Sequence, residues 1–403
     1  MKKKILSVVL ALCLVIGVIC GFSLTSATAN DAYENLSLES VGITQESVDA
    51  SLMSMGDSSR MAKVMQRAAA GETITIGFIG GSITYGSGVR DKGYTVNERF
   101  SDLTLAWFED RFPTATFELV NCALPETGSL IGNFRYESDL LQYEPDVIVI
   151  EFAVNDGAAY STRETYEALL RKALAMENDP AVMMLMMCTG SGWNSQDNQA
   201  VLGTYYNLPM VSFKNGIDKA VALGATRKDF DADGTHPNVK GHAATALYII
   251  NWLEAVYADY ESIDTTVDPM PDPLVSEDLK YVNTLTSANF TPTTLGSFAV
   301  ANDCSIYAPF KNGWSVKNGG TEAFSFEVEA KRVYLPILLG PDHDGTILVT
   351  VNGVPAGIYG GYHSYKKQSS PLIFESETTE KVQVGVQLIS GNQYVLSGIW
   401  TAY

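Results

Sequence analysis

Only four of the 403 residues are histidines, so the search for a general base is short. His236 stands in "DADGTHPNVKGH", three residues after Asp233 and just ahead of a helical pattern. A D-x-x-H spacing on a turn brings the carboxylate to one imidazole nitrogen. That fixes the tautomer and leaves the other nitrogen to take a proton from a hydroxyl nucleophile. His242 falls inside the following helix as a packing or surface residue. His343 and His363 fall in a β-rich region, where binding or plain surface roles fit. A partner for His236 is found in "FIGGSITYGSG", residues 78–88, where an apolar strand runs into a glycine-rich turn. A Walker A loop needs lysine after its second glycine, but Ser87 follows Gly86. A dinucleotide fingerprint beginning at Gly86 needs glycine where Asp91 stands, and a Gly-x-Ser-x-Gly elbow ends wrongly on Thr84. What survives is Ser82, just past the C-terminal end of a strand, where open α/β sheets place their sites. On its own Ser82 also reads as a turn or cap serine.

Two further strand ends carry useful groups. "PDVIVIEFAVND", residues 145–156, ends in Asn155-Asp156. An asparagine there can aim its amide at a developing oxyanion, or serve as a turn former or N-cap. "NCALPETGSLIGNFR" ends another strand and turns at Gly128, whose backbone N–H can point the same way. A competing pattern overlaps the histidine block: Asp229, Asp231, Asp233 and Gly234 match the opening of an EF-hand calcium loop. Its twelfth position is Lys240 instead of glutamate and its ninth is Pro237, so a calcium site is not expected.

These blocks need a scaffold. "TITIGFIG", "TFELVN", "DVIVIEF", "VMMLMMC" and "MVSF" are short continuous apolar runs, the mark of parallel strands covered on both faces. Helical patterns alternate with them over residues 96–112, 161–177, 215–223 and 239–257, after a first one near 58–70. The alternation predicts an α/β three-layer sandwich around a five-stranded parallel sheet. Residues 73–260 form this unit, behind a lead-in over 30–72. Residues 261–280, rich in Pro, Asp and Ser, read as a linker. Residues 281–403 carry strands without helices and predict an all-β, jelly-roll-like sandwich, in which Trp314, Tyr359, Tyr362 and Tyr365 offer rings to a glycan.

The N-terminus reads as a signal peptide over residues 1–29: three lysines, an apolar run and Ala27-Thr28-Ala29 as cleavage site. An uncleaved anchor is the alternative. The expected location is outside the cell or at its surface, without stable membrane association once the signal is cleaved. A net charge of −19 argues against nucleic acid and anionic membranes as partners. Cys122, Cys188 and Cys304 follow the leader with no tight spacing and read as buried thiols. No metal or organic cofactor is implied, because there is no HExxH, no paired cysteine motif and too few histidines.

Taken together and in order, "GGSIT", "ALPETGS", "AVND" and "DGTHPN" resemble the SGNH (GDSL-like) hydrolase superfamily over residues 73–258. The resemblance implies a flavodoxin-like sheet and ester hydrolysis, with Ser82 as nucleophile, His236 as base and Asp233 as its orienter. It implies an oxyanion hole of the Ser82 and Gly128 backbone N–H groups and the Asn155 side chain. Gly-Gly-Ser-Ile in place of Gly-Asp-Ser-Leu looks like branches that act on carbohydrate esters. Pro125-Glu126 stands where that family often has a glycine. An appended β domain on an exported chain resembles esterases that remove O-acetyl groups from polysaccharide or oligosaccharide. A lipase or thioesterase, and a non-catalytic glycan-binding surface protein, are the competing readings. Tyr85, Arg135 and Trp193 are candidates to line the mouth of the site.

Overall fold

A computed structural model describes residues 31–93 and 96–403. The signal peptide expected over residues 1–29 lies outside the described residues. The chain divides into two compact units, Met1–Ser276 and Glu277–Tyr403.

In the first unit β2 (Thr73–Gly80), β3 (Thr116–Asn121), β4 (Val147–Glu151), β5 (Ala181–Met186) and β6 (Met210–Ser212) pair in parallel, in the order 3-2-4-5-6. These are the five apolar runs of the sequence, and their order is that of flavodoxin-like sheets. One correction is needed. The sheet has a sixth member, β1 (Leu52–Ser54), which pairs antiparallel with the edge of β6.

β2, β4, β5 and β6 are continuously apolar because both faces are covered, while β3 at the edge is only partly buried. Val147, Val149, Met183 and Leu185 enter one core, with Met61 and Met65 of α2 (Ser59–Ala69), Trp107 and Phe108 of α4 (Phe100–Arg111), and Trp252 and Leu253 of α9 (Val239–Tyr257). Their neighbours Ile148, Ile150, Val182 and Met184 face the opposite core, with Tyr136 of α5 (Ser129–Asp139), Leu169 and Leu170 of α6 (Tyr160–Leu174), and Leu202 of α7 (Gln196–Tyr205). Burying a large side chain of this kind contributes about 1.5–3 kcal/mol. The C-terminal strand ends are thereby held rigidly enough to carry a site.

The second unit has a six-stranded and a five-stranded antiparallel sheet. Trp314 and Leu396 of the smaller sheet share one core with Phe324, Val384 and Ile399 of the larger. "RVYLPILLG" is divided by Pro336: Phe324–Tyr334 belongs to the larger sheet and Ile337–Leu339 to the smaller. Proline has no N–H for a ladder, so the chain changes sheets there.

The segment leading to the unit boundary is tied down by one carboxylate. Glu167 of α6 is fully buried and accepts from the backbone N–H groups of Leu274 (2.6 Å), Val275 (2.8 Å) and Ser276 (3.0 Å), and from the Tyr206 hydroxyl (2.5 Å). Glu167→Ala leaves those donors without their acceptor and is expected to cost about 2–4 kcal/mol. Urea unfolding measures it, and an unchanged midpoint would contradict this account of the segment.

Candidate active site

β2 ends in Gly80, and the chain turns through Gly81 into α3 (Ser82–Tyr85), a single helical turn closed by Gly86 at φ 97°. Ser82 is its first residue and is half-buried. Its hydroxyl lies 2.9 Å from His236 Nε2, and His236 Nδ1 lies 2.8 Å from Asp233 Oδ2. The three side chains form one line of hydrogen bonds, the arrangement by which a serine hydroxyl is made nucleophilic.

The loop that carries Asp233 and His236 is built for rigidity. Asp231 pairs with Pro237, and Ala232 N–H donates to the His236 carbonyl. Gly234 adopts a positive φ of 93° and donates its N–H to the Asp231 carboxylate. Asp233 Oδ1 accepts from the Thr235 and His236 N–H groups, which sets the carboxylate facing the imidazole. Asn238 then caps α9 by accepting from Gly241 N–H. The EF-hand-like aspartates are thus each used in a turn: Asp229 accepts from Thr226 N–H, Asp231 from Gly234, and Asp233 from His236. No group of three His, Cys, Asp or Glu among the described residues could hold a metal ion.

Glycines bring the remaining pieces close. A Cβ on Gly81 would lie 2.1 Å from Asn155 Oδ1, and one on Gly88, at φ 90°, would lie 2.3 Å from the Pro237 carbonyl oxygen. The Ser82 turn therefore touches Asn155 on one side and the histidine loop on the other. Gly128 caps α5, and a Cβ there would lie 2.7 Å from Asp156 Oδ1. Ser82, Asn155 and Gly128 come from the ends of three adjacent strands, β2, β4 and β3, around the point where the strand order reverses.

The mouth candidates fare differently. Trp193 is 52 % exposed on a turn whose Gly190 N–H donates to the Gly234 carbonyl, which ties it to the histidine loop. Tyr85 is half-buried beneath the Arg90 guanidinium, 4.1 Å from the ring centre. Arg135 is a correction. It is 1 % exposed, donates to the Cys122 and Gly80 carbonyls and pairs with Asp139 at 3.1 Å, so it ties strand ends together beneath the site and lines no mouth. His242 is a buried packing residue stacked on Phe100, and burial pushes its pKa down to about 3. His343 is buried against the Leu338 carbonyl at 2.7 Å, while His363 is half-buried.

Two buried carboxyls escaped the reading of the sequence. Glu151, the last residue of β4, accepts from Thr84 Oγ1 at 2.9 Å. Asp156 accepts from Ser129 N–H at 2.8 Å and from Gln199 at 3.1 Å. The available signal was an acid closing an otherwise apolar strand, in "VIVIEFAVND". Burial pushes both pKa values up to about 7. For Glu151 the charge of Asp156 adds to burial, against the Thr84 hydrogen bond and the Gly81 and Thr84 backbone N–H groups. Asp233 is the opposite case. Burial raises it, but the hydrogen bonds from the His236 ring and from the His236 and Thr235 backbone win, and bring it down to about 2.

Residues 78–244 match the model of the GDSL-like Lipase/Acylhydrolase family. The match spans the stretch that holds Ser82, Gly128, Asn155, Asp233 and His236, and the protein is a carboxylic ester hydrolase. Two solved structures are similar over both units. One is a two-domain esterase (CEX) active on acetylated mannans, co-crystallized with mannopentaose. It is 26 % identical, with TM-score 0.79, covering 88 % of this chain and 97 % of that one. The other is the same kind of two-domain esterase without that ligand in its description, 26 % identical, with TM-score 0.78, covering 88 % and 98 %. No curated protein sequence matches the chain.

Two outcomes follow from the geometry. Glu151 and Asp156 titrate higher folded than the ordinary carboxylate value, so the folded chain holds more protons than the unfolded one between about pH 4 and pH 7. For these two groups stability therefore falls as pH rises through that window. Thermal unfolding of Glu151→Gln/Asp156→Asn should show a flatter fall between pH 5.5 and pH 8 than wild type, and an equal slope would contradict it. A methyl group at Gly81 collides with Asn155, so Gly81→Ala should lower kcat by about a hundredfold or more for ester substrates. A wild-type rate in that variant would show that the contact is unimportant.

Proposed function

We propose that this protein is a serine esterase that removes O-acetyl groups from polysaccharide, with acetylated mannan as the favoured class. The observation that carries the chemistry is the unbroken line Asp233–His236–Ser82, at 2.8 and 2.9 Å. The likeness of the whole two-unit chain to an esterase active on acetylated mannans supports the substrate class.

The mechanism follows from these positions. Ser82 Oγ attacks the acetyl carbonyl carbon while its proton passes to His236 Nε2. Asp233 holds the Nδ1–H and stabilises the imidazolium that forms. The carbonyl oxygen becomes an oxyanion facing the Ser82 N–H, the Gly128 N–H and the Asn155 amide, each worth about 3–4 kcal/mol when well placed. As the tetrahedral intermediate collapses, the sugar hydroxyl leaves with the proton from His236, and the acetyl group stays on Ser82. Water then attacks that ester, gives its proton to His236, and acetate departs as Ser82 regains its hydrogen. Asp233 stays ionised well below neutral pH, so it remains a hydrogen-bond acceptor for the imidazolium throughout.

The second unit, read as a jelly-roll-type sandwich, exposes Tyr362 and Tyr365 at 67 % and 51 %, rings suited to stacking on sugars. The basic, apolar leader and its Ala-Thr-Ala site support export to the cell surface or beyond. No helix among the described residues is long and apolar enough to cross a membrane.

The test is acetate release from acetylated mannan, xylan and pectin, with Ser82→Ala as control. Mannan is expected to be deacetylated fastest, with release lost in the variant. Cleavage of long-chain lipid esters without acetate release from any glycan would overturn the reading. Asp233→Asn should keep KM and lower kcat by about a thousandfold or more, through loss of the tautomer. A wild-type kcat in that variant would remove Asp233 from the mechanism.

A further inference from the structure

The turn that carries Ser82 is lightly built. It is four residues long, with glycine on both flanks, and only Ile83 and Thr84 bury their side chains. The Ser82 hydroxyl must nevertheless stay on the line to His236, and the Ser82 N–H must face the carbonyl oxygen of the ester that the hydroxyl attacks. Whatever fixes the pitch of α3 fixes both.

One buried carboxyl, Glu151, gathers the turn's polar groups: the Thr84 hydroxyl and the Gly81 and Thr84 backbone N–H groups. Thr84 Oγ1 donates to Glu151 Oε2 at 2.9 Å, and Glu151 is 1 % exposed. Glu151 is paired in register with Gly80, the residue from which the turn departs. Gly80 makes room for the contact: a Cβ there would lie 2.3 Å from Thr84 Oγ1 and 2.7 Å from the Glu151 carbonyl oxygen. The second carboxyl oxygen, Oε1, is buried without a hydrogen-bond partner among the described residues. Burying a carboxyl with one oxygen left unpaired is unfavourable, and an apolar side chain of similar volume would pack there at lower cost. Packing therefore does not explain an acid at this position.

We propose that Glu151 is a positioning residue for the ester hydrolysis: it accepts the Thr84 hydroxyl and so sets the pitch of α3. It touches neither substrate nor His236 and acts only through the turn, by way of Thr84 and the Gly81 N–H. The inference rests on the reading of Ser82 as nucleophile.

The experiment compares Glu151→Met, Glu151→Gln, Thr84→Val, Thr84→Ser and Glu151→Met/Thr84→Val by steady-state kinetics on p-nitrophenyl acetate. Wild type and Ser82→Ala serve as references, with a thermal melt for each variant. Glu151→Met and Thr84→Val should each lower kcat by about ten- to a hundredfold with KM held within about twofold, since a small misplacement of a reacting group costs rate more than binding. Their double variant should be no slower than the worse single one, because both break the same link. Glu151→Gln and Thr84→Ser keep an acceptor and a hydroxyl, and should recover most of the rate. Melting temperatures at or above wild type in the slow variants separate lost positioning from lost folding. If wild type is active, Ser82→Ala is not, and Glu151→Met or Thr84→Val keeps the wild-type kcat, the inference falls while the nucleophile stands. Additive losses in the double variant would also overturn it. An inactive wild type would overturn the nucleophile reading and this inference with it.

Discussion

A hydrogen bond of 2.9 Å between Ser82 and His236 joins residues 154 positions apart, and the catalytic unit is organised around holding it. A contact of that span needs two rigid supports. The end of β2 supplies one, in the middle of a sheet buried on both faces. The other is the tight loop before α9, closed by the Asp231–Pro237 pairing and capped by Asn238. Gly88 lets the two supports touch directly, because its missing side chain admits the Pro237 carbonyl. A hydroxyl placed by two such bodies is preorganised, and preorganisation is what lets weak individual groups lower a barrier.

The electrostatics divide along the same geometry. Asp233 faces solvent and backbone donors, so it stays charged and orients the imidazole. Glu151 and Asp156 sit at and just beyond the end of β4, buried, with pKa values near 7. They touch the nucleophile turn and the start of α5, the two segments whose backbone N–H groups face the proposed oxyanion. The stabilising contribution of the two hydrophobic cores is what allows such unfavourable groups to remain beneath the site.

Much of this was legible in the sequence, and for physical reasons. Continuous apolar runs mark strands covered on both faces, and β2, β4, β5 and β6 are buried in that way, whereas the edge strand β3 is only partly buried. The helix Val239–Tyr257 was equally plain, since its start follows a capping asparagine. The D-x-x-H spacing correctly anticipated a carboxylate on one imidazole nitrogen. The strand Leu52–Ser54 was not legible, because three half-buried residues give no period to read. The helix Ser129–Asp139 was hidden by polar residues on its buried side, Asn133 and Arg135, whose partners are carbonyls distant in sequence. That explains the error on Arg135 itself: a charge in a sequence reads as surface until its partners are known. Glu151 was overlooked for the same reason, as an acid inside a strand motif whose only visible feature was hydrophobicity.

The central claim is that Ser82 carries the acyl group. Its most direct test is to mix the protein with an acetylated substrate, quench in acid within the first turnover, and map the peptides by mass spectrometry. One acetyl group on the peptide containing Ser82, absent from Ser82→Ala, is the expected result. Turnover with no acetyl group on that peptide at any quench time, together with an active Ser82→Ala protein, would contradict the account.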